Sequence, residues 1–310
     1  RPRLVTGVEG RIELGDRTGL GYGVELYAEQ LIRLGHDTIV AGLVTIYDTS
    51  FHPLEEGRKV KVAPVEIGNG AYVGSGSVIT GPNYTGVSTR PSSSDWGVHG
   101  TWMASLIAGH GHDGGLSGVT GTAPAARILS IRVIPDRADP HYGKYEREDE
   151  ARIQQSLANG IKYAVTHGAK VISMSIGYSA PSNTVRAELQ DAYDHGVVVI
   201  ASAGNSGGPG STKRGRPAPE SFPADYPGVI SVSAVAASGA VAPFSSDNLS
   251  VKVAAPGVKV PAQGRDGQYW LVSGTSPACA LTAGVAALIK SVYPHLAPAL
   301  VIRAITVSAQ

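Results

Sequence analysis

From residue 127 onward, short apolar runs alternate with segments of helical period. Four short runs rich in Val and Ile predict parallel strands that are buried on both faces. These runs are Arg127–Ile134, Lys170–Ile176, Val197–Ala203 and Val229–Val235. Apolar residues spaced four apart between them predict amphipathic helices, at Ile153, Leu157, Ile161 and Val165, then at Val185, Leu189 and Tyr193. The alternation predicts right-handed crossovers and a parallel sheet with helices on both faces.

The first eighty residues follow a different period, with an aliphatic residue at every sixth position. Leu34, Val40 and Ile46 open three consecutive hexads, and Ile67 and Val73 open two more. This period predicts a β-helix whose aliphatic residues point inward. The segment resembles the left-handed hexapeptide-repeat acyltransferases. The resemblance implies an acyl-CoA-dependent O-acetyltransferase, with the catalytic histidine near His52 and a trimer if the solenoid assembles.

A serine follows a glycine-led turn near the C-terminus. Ser276 lies in Gly274-Thr275-Ser276-Pro277, which leads into the apolar stretch Cys279 to Ile289. A hydroxyl at the start of a helix lies near the positive end of the helix dipole, and Pro suits the first helical position. This is a suitable place for a nucleophile, although a serine N-cap on a buried helix has the same pattern.

Two further segments have a polar residue at a comparable place. His99 opens an apolar helix that should be buried, and Asn205 ends the apolar run through Val197 and Ala203. The Asn205 amide could donate to a developing oxyanion, whereas Ala-Gly-Asn is also typical of a simple turn.

His99-Gly100-Thr101, Ala203-Gly204-Asn205 and Gly274-Thr275-Ser276 together resemble the signatures of the subtilisin-like serine proteases, in the family's order. The resemblance covers about residues 82–310 and implies a three-layer α/β fold. It implies His99 as general base, Ser276 as nucleophile and Asn205 as oxyanion donor. Ser175, Ile176, Gly177 and Gly204 would bind a peptide or protein substrate. Asp95-Trp96-Gly97 and the charged insertion Asp136 to Glu150 are similar to the mycosin-like branch.

The family also requires an upstream aspartate, and Asp48 is the candidate. Val44 to Pro53 is similar to the family's pattern of an apolar strand followed by aspartate. The same segment also continues the six-residue spacing of the hexads on both sides. We interpret the match as coincidence, and Asp95 lies too close to His99 to replace it. We therefore expect two units, residues 1–81 and residues 82–310. The second unit would lack the family's first strand. It would end soon after a last helix begins at Val301–Thr306.

Charge, cysteine content and the length of apolar runs argue against several classes of protein. The 310 residues carry 26 basic and 25 acidic side chains, a net charge of +1, so neither nucleic acid nor an anionic membrane is indicated. The single cysteine, Cys279, excludes an intrachain disulfide and is expected to pack in the core. No apolar run approaches the length of about 18 residues that spans a membrane. We expect no cofactor and no metal.

Three functions remain open at this stage: a serine endopeptidase with impaired catalysis, the acetyltransferase, and a catalytically inactive protease that binds peptide by strand addition. The family resemblance implies an extracellular or cell-surface location. The chain begins at Arg1 without a methionine or signal peptide, which we interpret as a processed or partial product.

Overall fold

The computed structural model describes residues 1–40, 44–48, 65–67, 72–73, 78–79, 98–112, 117–135, 150–207, 220–264 and 268–309. Its helices are α1 (Val98–Ala108), α2 (Glu150–Thr166), α3 (Asn183–Asp194), α4 (Thr275–Val292) and α5 (Pro298–Ser308). Strands β1 to β10 are Arg3–Thr6, Arg11–Leu14, Gly19–Leu20, Glu25–Ala28, Leu31–Leu34, Ile39–Val40, Thr45–Tyr47, Val65–Ile67, Tyr72–Val73 and Val78–Ile79. Strands β11 to β18 are His110–His112, Ser117–Thr120, Val171–Met174, Val198–Ser202, Val229–Val235, Val251–Pro256, Val260–Gln263 and Tyr269–Val272.

The C-terminal part is a three-layer α/β structure around a parallel sheet of order β13-β14-β15-β16. Every residue of β14 is buried, and its side chains alternate between the two faces of the sheet. Val199 and Ala201 pack with residues of α2 and α3, whereas Val198 and Ile200 pack with residues of α4 and α5. The predicted arrangement of helices on both faces is therefore confirmed.

The four predicted strands have different outcomes. The runs Val197–Ala203 and Val229–Val235 form the buried strands β14 and β15. The expectation of complete burial is wrong for β13, because three of its four residues are only half-buried. It lies at an edge of the described sheet, so one side has no strand to cover it.

The prediction of a strand at Arg127–Ile134 is also wrong. This segment contains only isolated bridge positions, at Leu129 and Arg132, and most of it is half-buried. An apolar run becomes a strand only when a neighbouring strand satisfies its backbone groups. Residues 125–135 instead line the same open cavity as residues of β13.

The predicted helices are present as α2, α3 and α4. Helix α1 differs from expectation, because only Met103 and Leu106 are buried in it. Its apolar residues therefore line a surface and a cavity as well as a core. Helix α5 runs over eleven residues, Pro298–Ser308, and packs Val301 and Ile305 against the sheet side of α4.

The N-terminal strands lie in three parallel sheets, and the chain visits the sheets in rotation. Their orders are β1-β4-β7-β10, β2-β5-β8 and β3-β6-β9. Leu34, Val40 and Ile46 are buried in a shared core, and Ile67 packs against it. These four side chains therefore point inward, as expected. Glu25 pairs with Thr45, a separation of 20 residues that exceeds three six-residue repeats.

Strand β7 pairs with β4 and β10, so Val44 to Tyr47 does not belong to the β13–β16 sheet. Asp48 follows this strand and is 5% exposed. Its carboxylate accepts hydrogen bonds from the backbone N–H groups of Glu29 at 2.7 Å, Gln30 at 2.8 Å and Leu31 at 2.7 Å. Asp48 therefore holds the turn between β4 and β5.

We expect Asp48→Ala to lower the free energy of unfolding of the N-terminal part by about 1.5–3 kcal/mol, because hydrogen bonds to a charged acceptor are lost. Urea unfolding followed by circular dichroism measures the loss. The matched control is Glu13→Ala, which removes an exposed ion pair with Arg33 and should cost less than about 1 kcal/mol. Equal losses in the two variants would contradict the role of Asp48.

Candidate active site

The candidate residues of the protease hypothesis other than Asp48 line one open cavity of about 2390 Å³. They are His99, Ser175, Ile176, Gly177, Gly204, Asn205 and Ser276. They come from α1, the end of β13, the end of β14 and the start of α4. Carboxyl ends of parallel strands meet at one edge of such a sheet, which brings the last three elements together.

Ser276 is the second residue of α4 and is half-buried. Two glycines lie where the chain passes close to itself here, Gly274 before Thr275 and Gly257 directly after β16. Gly274 has φ of +153°, which side chains rarely adopt, and its N–H donates to Gly257 O at 2.9 Å. A Cβ on Gly257 would lie 2.5 Å from Gly274 O. The two glycines thus allow the loop and the helix start to approach closely, which leaves Ser276 at the cavity surface.

Asn205 is fixed by two hydrogen bonds from Thr275. Its Oδ1 accepts from Thr275 N at 2.9 Å and from Thr275 Oγ1 at 3.1 Å. Because both bonds need an acceptor, the side-chain amide orientation is defined and Nδ2 points away from Thr275. A Cβ on Gly274 would lie 3.5 Å from Asn205 Nδ2. The donor nitrogen of Asn205 therefore lies beside the turn that carries Ser276.

Thr275 also holds the neighbouring glycine. Gly204 N donates to Thr275 Oγ1 at 3.2 Å, and Gly204 has φ of +102°. The hydroxyl thus joins the loop after β14 to the start of α4 through both Gly204 and Asn205. Thr275 lies between Gly274 and Ser276 in the recognised motif, but its bonds to a residue 70 positions away are not visible in the sequence.

The end of β13 is joined to the same helix start. Ser175 Oγ donates to Ser276 O at 3.2 Å. Beyond it, Tyr178 and Phe222 exchange backbone hydrogen bonds at 2.8 and 2.9 Å. Gly177 lies between these contacts, where a Cβ would meet Ser221 Oγ at 3.0 Å. The Ser175–Gly177 segment is therefore held at both ends beside Ser276.

His99 is exposed on the first turn of α1, contrary to the burial expected of that helix. Its ring lies edge-on to Trp102, with centroids 6.4 Å apart, and Trp102 contacts Trp270 at 5.3 Å. Leu106 of α1 and Ala280 of α4 share a core cluster that fixes the two helices against each other. The sequence analysis missed both tryptophans, which line the cavity beside His99.

Cys279 lies three residues after Ser276 but is fully buried. Burial raises the pKa of its thiol to about 11, so the thiol is protonated at neutral pH. Ser173 and Met174 contact the sulfur at 3.6 and 3.7 Å. Its expected role in core packing agrees with this placement.

Asp48 is not among the residues lining the cavity. Asp95 and His52, the other residues considered for catalysis, lie outside the described residues. Of the described residues that line the cavity, one is acidic, Glu220.

Two further features bear on ligands and location. Within the described ranges, no group of three or more His, Cys, Asp or Glu side chains could hold a metal ion. In the same part of the chain, one helix, α4, is apolar and long enough to cross a membrane. Of that helix 56% is buried in the fold, and core helices meet the same criterion.

Residues 43–310 match the model of the subtilase family. The chain belongs to this family. It is 33% identical over 238 residues to subtilisin E of Bacillus subtilis, covering 77% of this chain and 57% of that protein. It is also 33% identical over 247 residues to subtilisin DY of Bacillus licheniformis, covering 78% and 80%. The structure of MycP1 from Mycobacterium smegmatis superposes with a TM-score of 0.58 at 28% identity, covering 69% of this chain and 64% of that one.

The subtilase match begins at residue 43, inside the segment that we assigned to the first unit. The family's sequence pattern therefore includes Val44 to Asp48, whereas the structure pairs that strand with β4 and β10. The boundary of 81/82 between the two units stays a prediction.

We expect Thr275→Val to lower the free energy of unfolding by about 1–3 kcal/mol, because Gly204 N–H loses its acceptor in a part-buried site. Denaturant unfolding measures the change. Thr282→Val is the control, since its hydroxyl donates to Ala278 O one turn back, a carbonyl of the same helix. A loss at Thr275 no larger than that at Thr282 would show that the hydroxyl does not join the loop to the helix.

Proposed function

We propose that this subtilase is a serine endopeptidase in which Ser276 attacks the peptide carbonyl and His99 accepts its proton. The observation that supports the proposal is that His99, Asn205 and Ser276 line the same cavity, with Asn205 oriented by Thr275. The acyl group would pass to Ser276 and then to water.

Asn205 supplies the oxyanion donor in this mechanism. Its Oδ1 is occupied by Thr275, so Nδ2 is available to the negative charge that develops on the substrate oxygen. Ser175, Ile176, Gly177 and Gly204 would bind the extended substrate backbone along the cavity edge. The placement of Ser175, bonded to Ser276 O, supports this role.

Catalysis by this chain is expected to be slow. Asp48 would be the orienting carboxylate by sequence similarity, yet its oxygens already accept three backbone hydrogen bonds in the N-terminal sheets. Loss of this aspartate lowers kcat by about 3 × 10⁴ in subtilisin, where the remaining rate comes from the oxyanion hole and substrate binding. The same engaged carboxylate favours the second candidate, a catalytically inactive protease that still binds extended peptide.

For the N-terminal part we propose the β-helix of a hexapeptide-repeat acyltransferase. The rotation of the chain through three parallel sheets supports this reading. An acetyltransferase activity would require His52 and a trimer. Acetylation of a sugar from acetyl-CoA by the purified chain tests it, and a monomer without that activity contradicts it. A secreted or cell-surface location is likewise proposed from the family.

The decisive assay compares wild type, Asp48→Asn and Ser276→Ala on a generic peptide substrate and with a serine-directed fluorophosphonate. We expect weak hydrolysis by wild type, nearly the same rate for Asp48→Asn, and neither hydrolysis nor labelling for Ser276→Ala. Absence of labelling in wild type would favour the inactive binder. Brisk hydrolysis that falls by about 10⁴ in Asp48→Asn would show that Asp48 reaches His99 in solution.

Asn205→Ala separates an oxyanion role from a loop role. We expect kcat to fall by about 10²–10³ with KM nearly unchanged, the effect known for the equivalent donor in subtilisin. The measurement is steady-state kinetics on the same peptide substrate. A rise in KM with kcat intact would instead assign Asn205 to shaping the loop.

A further inference from the structure

Two glycines beside Ser276 leave part of the cavity wall without side chains. Gly177 lies two residues after Ser175, whose hydroxyl donates to Ser276 O, and Gly204 directly precedes Asn205. Both glycines line the cavity, and they follow the neighbouring strands β13 and β14. We call the part of the cavity beside these two glycines the acyl pocket.

Ser221 lies against both glycines. A Cβ on Gly177 would be 3.0 Å from Ser221 Oγ. A Cβ on Gly204 would be 3.3 Å from the same oxygen and 3.6 Å from Ser221 Cβ. One hydroxyl therefore takes up room that the two missing side chains would otherwise leave open. Since Ser221 also lines the cavity, it forms the floor of the acyl pocket.

Hydrogen bonds fix the backbone of this floor. Ser221 N donates to Asp225 Oδ2 at 2.7 Å, and Asn248 Nδ2 donates to the same oxygen at 2.9 Å. The next residue, Phe222, exchanges backbone hydrogen bonds with Tyr178 at 2.8 and 2.9 Å. Because packed and hydrogen-bonded chain yields little, the floor does not withdraw to admit a larger group.

The wall at Gly204 is also held in place. Ser246 N donates to Gly204 O at 2.9 Å, and Gly204 N donates to Thr275 Oγ1 at 3.2 Å. Ser246 is only 1% exposed, and its Oγ would lie 3.1 Å from a Cβ on Gly204. The acyl pocket is therefore limited by fixed groups both at its floor and at this wall.

The substrate residue whose carbonyl is attacked is the one that reaches this pocket. Its carbonyl carbon must meet Ser276 Oγ, and its oxygen must lie beside Asn205 Nδ2, next to Gly204. Its Cβ is two bonds from that carbon, a distance of about 2.5 Å. The other side of the scissile bond lies toward His99, which must protonate the leaving amine. The side chain on the acyl side therefore points at the glycines and Ser221.

We propose, building on the endopeptidase function above, that Ser221 restricts the residue on the acyl side of the scissile bond to alanine or serine. A methyl or hydroxymethyl group fits above the floor, and a hydroxymethyl group can also form a hydrogen bond with Ser221 Oγ. Leucine or phenylalanine would place atoms where this oxygen lies, and such overlap is costly in a packed site. The substrate class is an extended peptide with a small residue at the cleavage point.

The test compares two peptidyl diphenyl phosphonates on the purified chain. Each carries acetyl-Ala-Val-Ala followed by the phosphonate analogue of either alanine or phenylalanine. Ser276 Oγ bonds to phosphorus as phenol leaves, so intact-protein mass spectrometry gives the rate of labelling. We expect the alanine compound to react at least tenfold faster, since even one misfitting methylene in a pocket changes rates by about 10–200-fold.

Ser221→Gly removes the floor and is the critical variant. It should react with the phenylalanine compound at least tenfold faster than wild type does, with little change for the alanine compound. Ser221→Ala removes only the hydroxyl and should shift the ratio of the two rates in the same direction by less. The control is Ser130→Gly, at an exposed serine that lines the same cavity, and it should leave the ratio unchanged. Circular dichroism establishes that each variant folds.

A fluorophosphonate without a peptide separates this proposal from the endopeptidase function, because it places nothing in the acyl pocket. Where it labels Ser276, three results overturn the proposal: no reaction of either peptidyl compound, equal rates for the two in wild type, or an unchanged ratio in folded Ser221→Gly.

If the fluorophosphonate fails to label Ser276, the endopeptidase function is wrong, and calorimetry then measures the preference of the pocket. The probes are acetyl-Ala-Val-Ala-Ala-Ala-Ala-amide and the same peptide with phenylalanine at its fourth position. Tighter binding of the alanine peptide to wild type, lost in Ser221→Gly, supports a small-residue pocket. Equal binding of the two peptides, or binding of neither, overturns it.

Discussion

The candidate site depends on the hydrogen bonds that join Thr275 to the loop after β14. Thr275 is 1% exposed, and it binds Gly204 N–H through its hydroxyl and Asn205 Oδ1 through both its hydroxyl and its N–H. Because α4 starts at this residue, the position of Ser276 relative to Asn205 is set by backbone and side-chain bonds together. Ser175, which donates to Ser276 O, adds the end of β13 to the same arrangement. Three segments that are distant in sequence thus meet at Thr275 and Ser276.

The sequence predicted the strands correctly where both faces of the sheet are buried. The strand prediction failed at residues 127–134, which are mostly half-buried. Val197–Ala203 and Val229–Val235 are apolar because helices cover both faces, so period and burial agree in β14 and β15. Arg127–Ile134 is also rich in Ile and Val but forms only isolated bridges, at Leu129 and Arg132, and composition does not encode how far a pairing extends. Helix α1 was expected to be buried all round, yet its apolar residues partly face the cavity, as Trp102 does.

The candidate site residues were recognisable because their local chemistry is unusual. Gly274 and Gly204 hold backbone conformations that favour glycine, and each precedes a polar residue at the end of an apolar run. Three residues of the site were not predicted, namely Thr275, Trp102 and Trp270. Thr275 contacts Asn205, 70 residues away, and Trp102 contacts Trp270, 168 residues away. No local period reveals such pairs.

The region around residues 43–48 separates sequence similarity from structural placement. It falls within the subtilase match, yet Val44 and Ile46 are fully buried in the N-terminal core, and Asp48 closes a turn there. A strand can pair in only one sheet at a time, because its backbone groups and its apolar face are used once. Because β7 is paired with β4 and β10, it does not cover β13, which stays half-buried at the edge of the described sheet.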